Sequence, residues 1–158
     1  MKKLFLVLAL LFTTTFAFSV ELKFMDIAKE GSTYKEVKKT LKNKKLKFSE
    51  SKAIKSFEVN IAEYEGIKLE SVTLYFDYDD KFKGFTLKFL PEGNESEIVD
   101  KVGADLIEEY EISAEKNQPN KVIGSTIYQV WSYSDDMKYR FAFGGNLSGE
   151  LFIEVSKL

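Results

Sequence analysis

The chain contains no cysteine and no histidine among its 158 residues, and these absences remove several classes of chemistry. Without cysteine there are no disulfides, so the core alone must stabilise the fold, and the lipid of a bacterial lipoprotein has no attachment point. Without histidine there are no Ser-His-Asp triads, no Cys-His dyads, no histidine-ligated zinc and no histidine pH switch. These absences leave carboxylates as the main acid–base groups. Since the sequence gives no sign that two carboxylates converge in a cleft, we predict a non-enzymatic protein with no cofactor and no metal, the alternative being a carboxylate-based hydrolase.

Long apolar runs are also scarce, and the one present lies at the N-terminus. Two lysines precede the apolar run 4–12, and a small-x-small pattern typical of a signal-peptidase site ends at Ser19. The run is shorter than the roughly 20 residues of a membrane span. We predict a signal peptide over residues 1–19 with cleavage near Ser19, the alternative being a retained anchor. The remaining domain, 20–158, is then periplasmic or secreted.

The composition of the mature part indicates one acidic globular domain. Removal of 19 residues leaves 139, which suits a single core, and 21 basic against 25 acidic residues give a net charge of −4. An acidic balance argues against a nucleic-acid partner. No second apolar stretch predicts a transmembrane segment after cleavage.

The first half reads as a helix followed by strands. Thr33 and Glu36 form a capping box at the start of a helix that frays near Asn43. Apolar residues alternate with polar ones in the strands that follow. These alternating residues are Phe57, Val59 and Ile61, then Val72, Leu74, Phe76 and Tyr78, and then Phe85, Leu87 and Phe89. In the middle strand Ser71, Thr73, Tyr75 and Asp77 occupy the other face.

The second half repeats the order of helix and strands. A second capping box, Asn94 to Glu97, opens a helix whose apolar stripe is Val99, Val102, Leu106 and Tyr110, flanked by Ile98 and Ile107. After a polar loop at 113–120, three strands are predicted. Their apolar residues are Ile127, Trp131 and Tyr133, then Tyr139, Phe141 and Phe143, and then Leu151, Ile153 and Val155.

The two halves, 20–91 and 92–158, resemble each other enough to suggest an internal repeat. Phe76-x-Tyr78-x-Asp80 matches Trp131-x-Tyr133-x-Asp135 at an offset of 55 residues, although generic hairpins that converge in pattern are the competing explanation. The predicted fold class is α+β: one antiparallel β-sheet with helices packed on one face.

The first helix begins with the sequence Gly31-Ser32-Thr33-Tyr34-Lys35-Glu36-Val37. It resembles the Gly-x-Thr/Ser-x-x-Glu-Val helix start of the β-lactamase-inhibitory-protein-like superfamily. This superfamily includes the small outer-membrane assembly lipoproteins. Tyr110 and Trp131 stand where related exported proteins carry a helix-terminal tyrosine and a tryptophan-bearing strand. The resemblance implies a non-catalytic binding fold that works by its surface, and it assigns no role to any individual residue.

Three local patterns have a structural and a chemical interpretation. Asp79-Asp80 and Asp135-Asp136 suit acid–base or metal chemistry in principle, but aspartate pairs are favoured in hairpin turns. The glycine-rich segment 144–149 lacks the Lys-Ser/Thr of a phosphate-binding loop, so we predict a hairpin loop there.

Charge is strongly segregated along the chain. Residues 35–55 hold nine lysines against two glutamates, whereas residues 92–115 hold nine acidic residues against one lysine. The simpler interpretation is two solvated helix faces that attract each other. The alternative is that the basic segment 35–55 makes weak contact with anionic surfaces.

Aromatic residues suggest a binding surface. If Val72, Leu74 and Phe76 face the helices together with Trp131, the opposite face carries a set of aromatic, aliphatic and basic side chains. The predicted partner-binding residues are Tyr75, Tyr128, Val130, Arg140 and Phe152, with Lys88 and Glu154 at the rim. We predict an exported binding or inhibitor-type protein with a protein partner in the envelope or outside the cell; the alternative is a carrier that encloses a small apolar ligand.

Overall fold

The computed structural model describes residues 20–90, 97–116, 121–123, 126–146 and 150–158, and within the C-terminal half it describes only the backbone of 114, 121–123, 126–130 and 146. The predicted signal peptide, residues 1–19, and the predicted cap at Asn94 lie outside these ranges. Within the described part, no helix has the length and apolar composition needed to cross a bilayer.

Strands make up most of the regular structure. They are β1 (Lys23–Phe24), β2 (Ala28–Lys29), β3 (Phe48–Ser51), β4 (Ser56–Val59), β5 (Glu63–Tyr64), β6 (Ile67–Phe76), β7 (Phe82–Phe89), β8 (Lys121–Ile123), β9 (Thr126–Tyr133), β10 (Tyr139–Asn146) and β11 (Leu151–Lys157). The helices are α1 (Tyr34–Asn43), a π-helical segment (Ile98–Gly103) that runs directly into α2 (Ala104–Glu109), and a 3-10 turn (Ala114–Lys116).

The main sheet is antiparallel, with the order β3-β4-β6-β7-β11-β10-β9-β8 and with β5 paired to β6. This order is symmetrical about the central β7–β11 pair, because each half of the chain contributes four strands that run from an edge to the centre. In this symmetry β6 corresponds to β10. The sequence match at an offset of 55 residues instead relates the end of β6 to the end of β9, so it does not follow the topology.

The first helix forms as its sequence predicts. The Thr33 side chain accepts the Glu36 N–H, and the Glu36 carboxylate accepts the Thr33 N–H at 2.7 Å, which completes the capping box. Val37 and Leu41 are buried, and the Tyr34 ring stacks on Phe57 of β4 with 4.2 Å between ring centroids. These contacts dock α1 on the sheet face that we call the inner face.

The second helical region differs from the predicted amphipathic helix. Ile98, Val102, Leu106 and Tyr110 are buried, whereas Val99 and Ile107 are exposed. The predicted stripe was therefore wrong at Val99. The buried residues recur every four positions, so they form one stripe along the π-helical segment and α2.

The inner face carries the core. Its strand residues pair with each other across the sheet, and they are Phe57, Val59, Val72, Leu74, Phe85, Leu87, Phe141, Phe143, Ile153 and Val155. The two helical regions and the N-terminal residues Leu22 and Phe24 join the same cluster. Since side chains alternate along a strand, the residues between these positions form an opposite face, which we call the outer face.

Several strand predictions need correction. Tyr78 was expected on the core face, but β6 ends at Phe76 and the Tyr78 side chain is 96% exposed in the following turn. Ile61 lies beyond the end of β4. Gly144 was assigned to a loop, yet it belongs to β10; residues 147–149 of that predicted loop lie outside the described residues.

The N-terminal segment is held against the last two strands. The Tyr139 hydroxyl donates to the Val20 carbonyl at 2.6 Å and to the Glu30 carboxylate at 3.0 Å. Glu30 also forms ion pairs with Lys138 and Lys157. Burial raises the pKa of Glu30, but the hydrogen bonds from Lys157 and Tyr139 outweigh it and lower the pKa to about 2.

The prediction of an antiparallel sheet is confirmed. The helical share of the chain is small, so the fold is mainly β and the α+β class is supported only loosely. The symmetrical strand order agrees with two tandem halves, 20–91 and 92–158, and the repeat stays a prediction.

Candidate functional site

The outer face is arranged in rows of residues that pair across neighbouring strands. One row runs from β4 to β9 and comprises Ser56, Tyr75, Gly84, Ser156, Arg140 and Tyr133. The adjacent row comprises Glu58, Thr73, Thr86, Glu154, Ala142 and Trp131. Both rows place small residues next to large ones, so the large side chains can lie over the small ones.

Four side chains at the β9–β11 end of these rows form a connected group, the Arg140 cluster: Trp131, Tyr133, Arg140 and Glu154. The Arg140 guanidinium carbon lies 4.6 Å from the centre of the Trp131 ring, within the range of a cation–π interaction. The Trp131 indole N–H donates to the Tyr133 hydroxyl at 3.1 Å. One terminal nitrogen of Arg140 pairs with the Glu154 carboxylate.

The Arg140 cluster is partly withdrawn from water. The side chains of Arg140 and Glu154 are 28% and 19% exposed, and Trp131 is 6% exposed. Ala142, between them on the sheet, is fully buried. The Nε of Arg140 is buried and has no hydrogen-bond partner among the described residues. An ion pair in this setting resists screening by salt better than a fully exposed one, and it helps to hold the guanidinium over the indole.

Tyr75 extends the same surface toward β6. Its cross-strand neighbour is Gly84, and its hydroxyl accepts a hydrogen bond from the Thr86 side chain at 3.3 Å. A Cβ at Gly84 would come within 2.6 Å of the Val155 carbonyl oxygen, so β7 and β11 approach closely at this point. The glycine thus permits the tight strand contact and leaves the surface beside Tyr75 without a side chain.

Three of the five predicted binding residues lie on the outer face. Tyr75, Arg140 and Phe152 are each half-buried there. The side chains of Tyr128 and Val130 lie outside the described part of the chain. In the backbone register Tyr128 pairs with Gly144 and Val130 with the core residue Phe143, with an irregularity between the two pairs. The register therefore does not group Val130 with Tyr75.

One premise of the predicted surface was wrong. Trp131 was expected to share a face with Val72, but it pairs with Ala142 and stacks with Arg140 on the outer face. Because alternation along β9 assigns residues to two faces without saying which is inward, Trp131 was mistaken for core. The presence of Arg140, Ala142 and Ser156 on adjacent strands was the sequence signal that could have located it.

The aspartate pairs lie in hairpin turns, as predicted. Asp77, rather than Asp79, closes the first turn by accepting the N–H groups of Asp79 and Lys81, both at 2.9 Å. In the second turn Asp136 accepts from the Ser134 hydroxyl at 2.6 Å, and this bond helps to lower its pKa. Among the residues with described side chains, no group of three or more carboxylates is placed to hold a metal ion.

The charged segments do not pair with each other in the described structure. Lysines of the basic segment form ion pairs with acids near it: Lys38 with Glu50, Lys44 with Asp26 and Lys55 with Asp80. None of these acids belongs to 92–115. Within the described ranges, the two charged segments therefore form no ion pair with each other, although mutual attraction was the simpler interpretation.

Two clefts bear on the carrier alternative. One, of about 350 Å³, is lined by Glu30, Asp77, Lys81, Lys83 and Lys157 together with Gly31, Phe82 and Leu158. The other, of about 330 Å³, includes Lys47, Glu58 and Glu70. Both clefts are open and carry several charges, so neither has the apolar lining that a carrier of an apolar ligand requires.

Comparison of the chain with protein families, curated proteins and solved structures finds no match. Function is therefore inferred from the geometry of the outer face and from the charge of the molecular surface.

Proposed function

We propose that this is an exported, non-enzymatic binding protein that engages a protein partner through the outer face of its sheet. The signal peptide expected over 1–19 would direct it to the periplasm or the exterior. The likeness of its helix start to the β-lactamase-inhibitory-protein-like superfamily supports an inhibitor-type role. The docking of α1 on the inner face agrees with this role, because it leaves Tyr75, Arg140 and Phe152 half-buried on the outer face.

The observation that carries this proposal is the Arg140 cluster. Tryptophan, tyrosine and arginine are the residues that most often dominate binding energy at protein interfaces. Here Tyr133 and Arg140 are half-buried, and the buried Trp131 fixes them through a hydrogen bond and a cation–π contact, while Glu154 pairs with Arg140. Side chains that are already ordered lose little conformational freedom when a partner docks, so less of the contact energy is lost on binding.

The surroundings of the cluster suit the same role. Half-buried Tyr75 on β6 and Phe152 on β11 continue the surface of the cluster. The small residues Gly84, Thr86 and Ser156 lie near them and do not project above the surface. A face of this kind presents aromatic area with a polar rim, which is the usual composition of a protein interface.

The proposal is tested by affinity capture with paired variants. The protein is used as bait against envelope and secreted fractions of the cells that produce it. The face variant is Tyr75→Ala/Phe152→Ala. The matched control is Tyr78→Ala/Ile54→Ala, which also removes one tyrosine and one large apolar side chain, from turns where they are 96% and 64% exposed.

We expect a partner that is retained by the wild type and the control and lost by the face variant, with circular dichroism showing that all three are folded. A partner that is lost equally by both variants would place the interface elsewhere. If all baits retain nothing specific, the proposal of a protein partner is rejected. Small molecules that co-purify with the wild type would then favour the carrier alternative.

A further inference from the structure

The solvent side of α1 carries a row of lysines whose side chains make no contact that stabilises the described part of the fold. Lys35, Lys39 and Lys42, spaced four and three residues apart, lie on one side of the helix, and we call them the lysine face. All three are exposed, and the side chain of none of them forms an ion pair or hydrogen bond within the described residues. By contrast, Lys38 and Lys44 at the edges are each paired with an acid.

The lysine face is unfavourable for the helix that bears it. Like charges three and four residues apart repel each other, and Lys35 lies in the first turn, near the positive end of the helix dipole. Lys42, in the last turn, suits the negative end of the dipole, so the unfavourable contributions are the mutual repulsion of the three lysines and the position of Lys35. The mature protein is acidic as a whole, so these lysines are not needed to give it charge for solubility. Their arrangement is therefore better explained by an external negative surface than by folding.

The geometry of the lysine face restricts what that surface is. Val37 and Leu41 are buried on the other side of α1, so the lysines point away from the sheet. They span about 10 Å of a convex helix and not a groove. Lysine offers a point charge for phosphate, with no aromatic platform for stacking bases. An extended plane of phosphate groups can meet all three ammonium groups at once.

We infer that the lysine face binds the surface of a bilayer that contains anionic phospholipids. Attachment is electrostatic and reversible, because the face has no apolar side chain that would insert between lipids. The outer face lies on the opposite side of the sheet from α1. A molecule held by its lysine face therefore keeps the Arg140 cluster turned away from the membrane and available to a partner.

The test measures binding of the full chain to vesicles of phosphatidylcholine alone and of phosphatidylcholine with about one third phosphatidylglycerol. Binding to neutral vesicles measures any contribution of the apolar run 4–12. The affinity for anionic vesicles divided by the affinity for neutral vesicles therefore gives the electrostatic contribution to binding. The lysine-face variant is Lys35→Gln/Lys39→Gln/Lys42→Gln. The control, Lys23→Gln/Lys83→Gln/Lys101→Gln, changes the net charge equally at exposed sites elsewhere.

Each lysine close to an anionic bilayer contributes about fivefold in affinity, so the lysine-face variant should lower the ratio by on the order of 100-fold at low salt. The control should lower it far less, and raised salt should weaken wild-type binding. Because repulsion on α1 is relieved, the lysine-face variant should unfold at the same or a higher temperature than the wild type, which separates lost binding from misfolding.

Two results would overturn the inference. Equal losses in the variant and the control would show a response to net charge and no defined face. Self-association of the wild type in low salt without vesicles, absent from the lysine-face variant, would show that the lysines meet the acidic segment of a second copy instead of a membrane. Sedimentation velocity distinguishes this case.

Discussion

Replacement of Glu30 by glutamine tests the network that closes the N-terminal segment onto the last strands. The carboxylate receives hydrogen bonds from Lys157 and Tyr139 and pairs with Lys138, while its side chain stays 21% exposed. Its pKa falls from 4.5 to about 2 on folding. A shift of this size corresponds to about 3 kcal/mol of stability at neutral pH.

The sign of this contribution sets its pH dependence. Since folding lowers the Glu30 pKa, the stabilisation is fully present above pH 4.5 and is lost as the pH falls toward 2. The glutamine amide keeps the shape and can still accept one hydrogen bond, so we expect Glu30→Gln to cost about 2 to 3 kcal/mol at pH 7, or roughly 10 °C in melting temperature. The variant and the wild type should converge in stability near pH 2.

The assay is urea unfolding followed by the fluorescence of Trp131, the single tryptophan of the chain, at pH 7 and at several values down to pH 2. The matched control is Glu58→Gln, which removes an exposed carboxylate from β4 and should change the free energy of unfolding by less than about 0.5 kcal/mol. An unchanged stability of Glu30→Gln at pH 7, or a loss that is the same at every pH, would refute the reasoning.

Further substitutions test individual packing and capping contacts by the same unfolding assay. Gly84→Ala should cost about 1 to 3 kcal/mol or more, because the new Cβ meets the Val155 carbonyl oxygen at 2.6 Å and neither backbone can move easily; a neutral result would mean that the strands separate freely. Thr33→Ala should cost about 1 kcal/mol, since the helix loses its cap. Tyr110→Phe should cost roughly 1 kcal/mol, as its hydroxyl bonds both backbone groups of Lys23, and an unchanged midpoint would show that these bonds add nothing.

Local patterns were predictable where one short segment determines the outcome. The capping box at Thr33 and the buried positions Val37 and Leu41 needed only residues a few positions apart, and the structure agrees with them. Turns at the aspartate pairs were predictable for the same reason. The exact end of β6 was not, because the Asp77 carboxylate closes the turn through backbone bonds that alternation does not reveal.

The candidate site was predictable only in part, because its residues come together through strand pairing. Tyr75, Arg140 and Phe152 were assigned to a common face, and the register agrees with that. Alternation is unchanged when the two faces of a strand are exchanged, so Trp131 was assigned to the wrong side. The edge strand β3 was missed because Phe48–Ser51 is short and mainly polar. Its position follows from pairing with β4 and not from its own composition.

If the chain is exported as proposed, the hydrogen bonds to Val20 impose an order on its folding. Lys138 and Tyr139 reach the Val20 carbonyl from 118 and 119 residues further along the chain. Contacts of such separation form late, because a long loop must close before they can be made. In a polypeptide that crosses a membrane with its N-terminus first, the segment around Val20 arrives on the far side before the strands that bind it. Its native position becomes available only when β10 and β11 have followed.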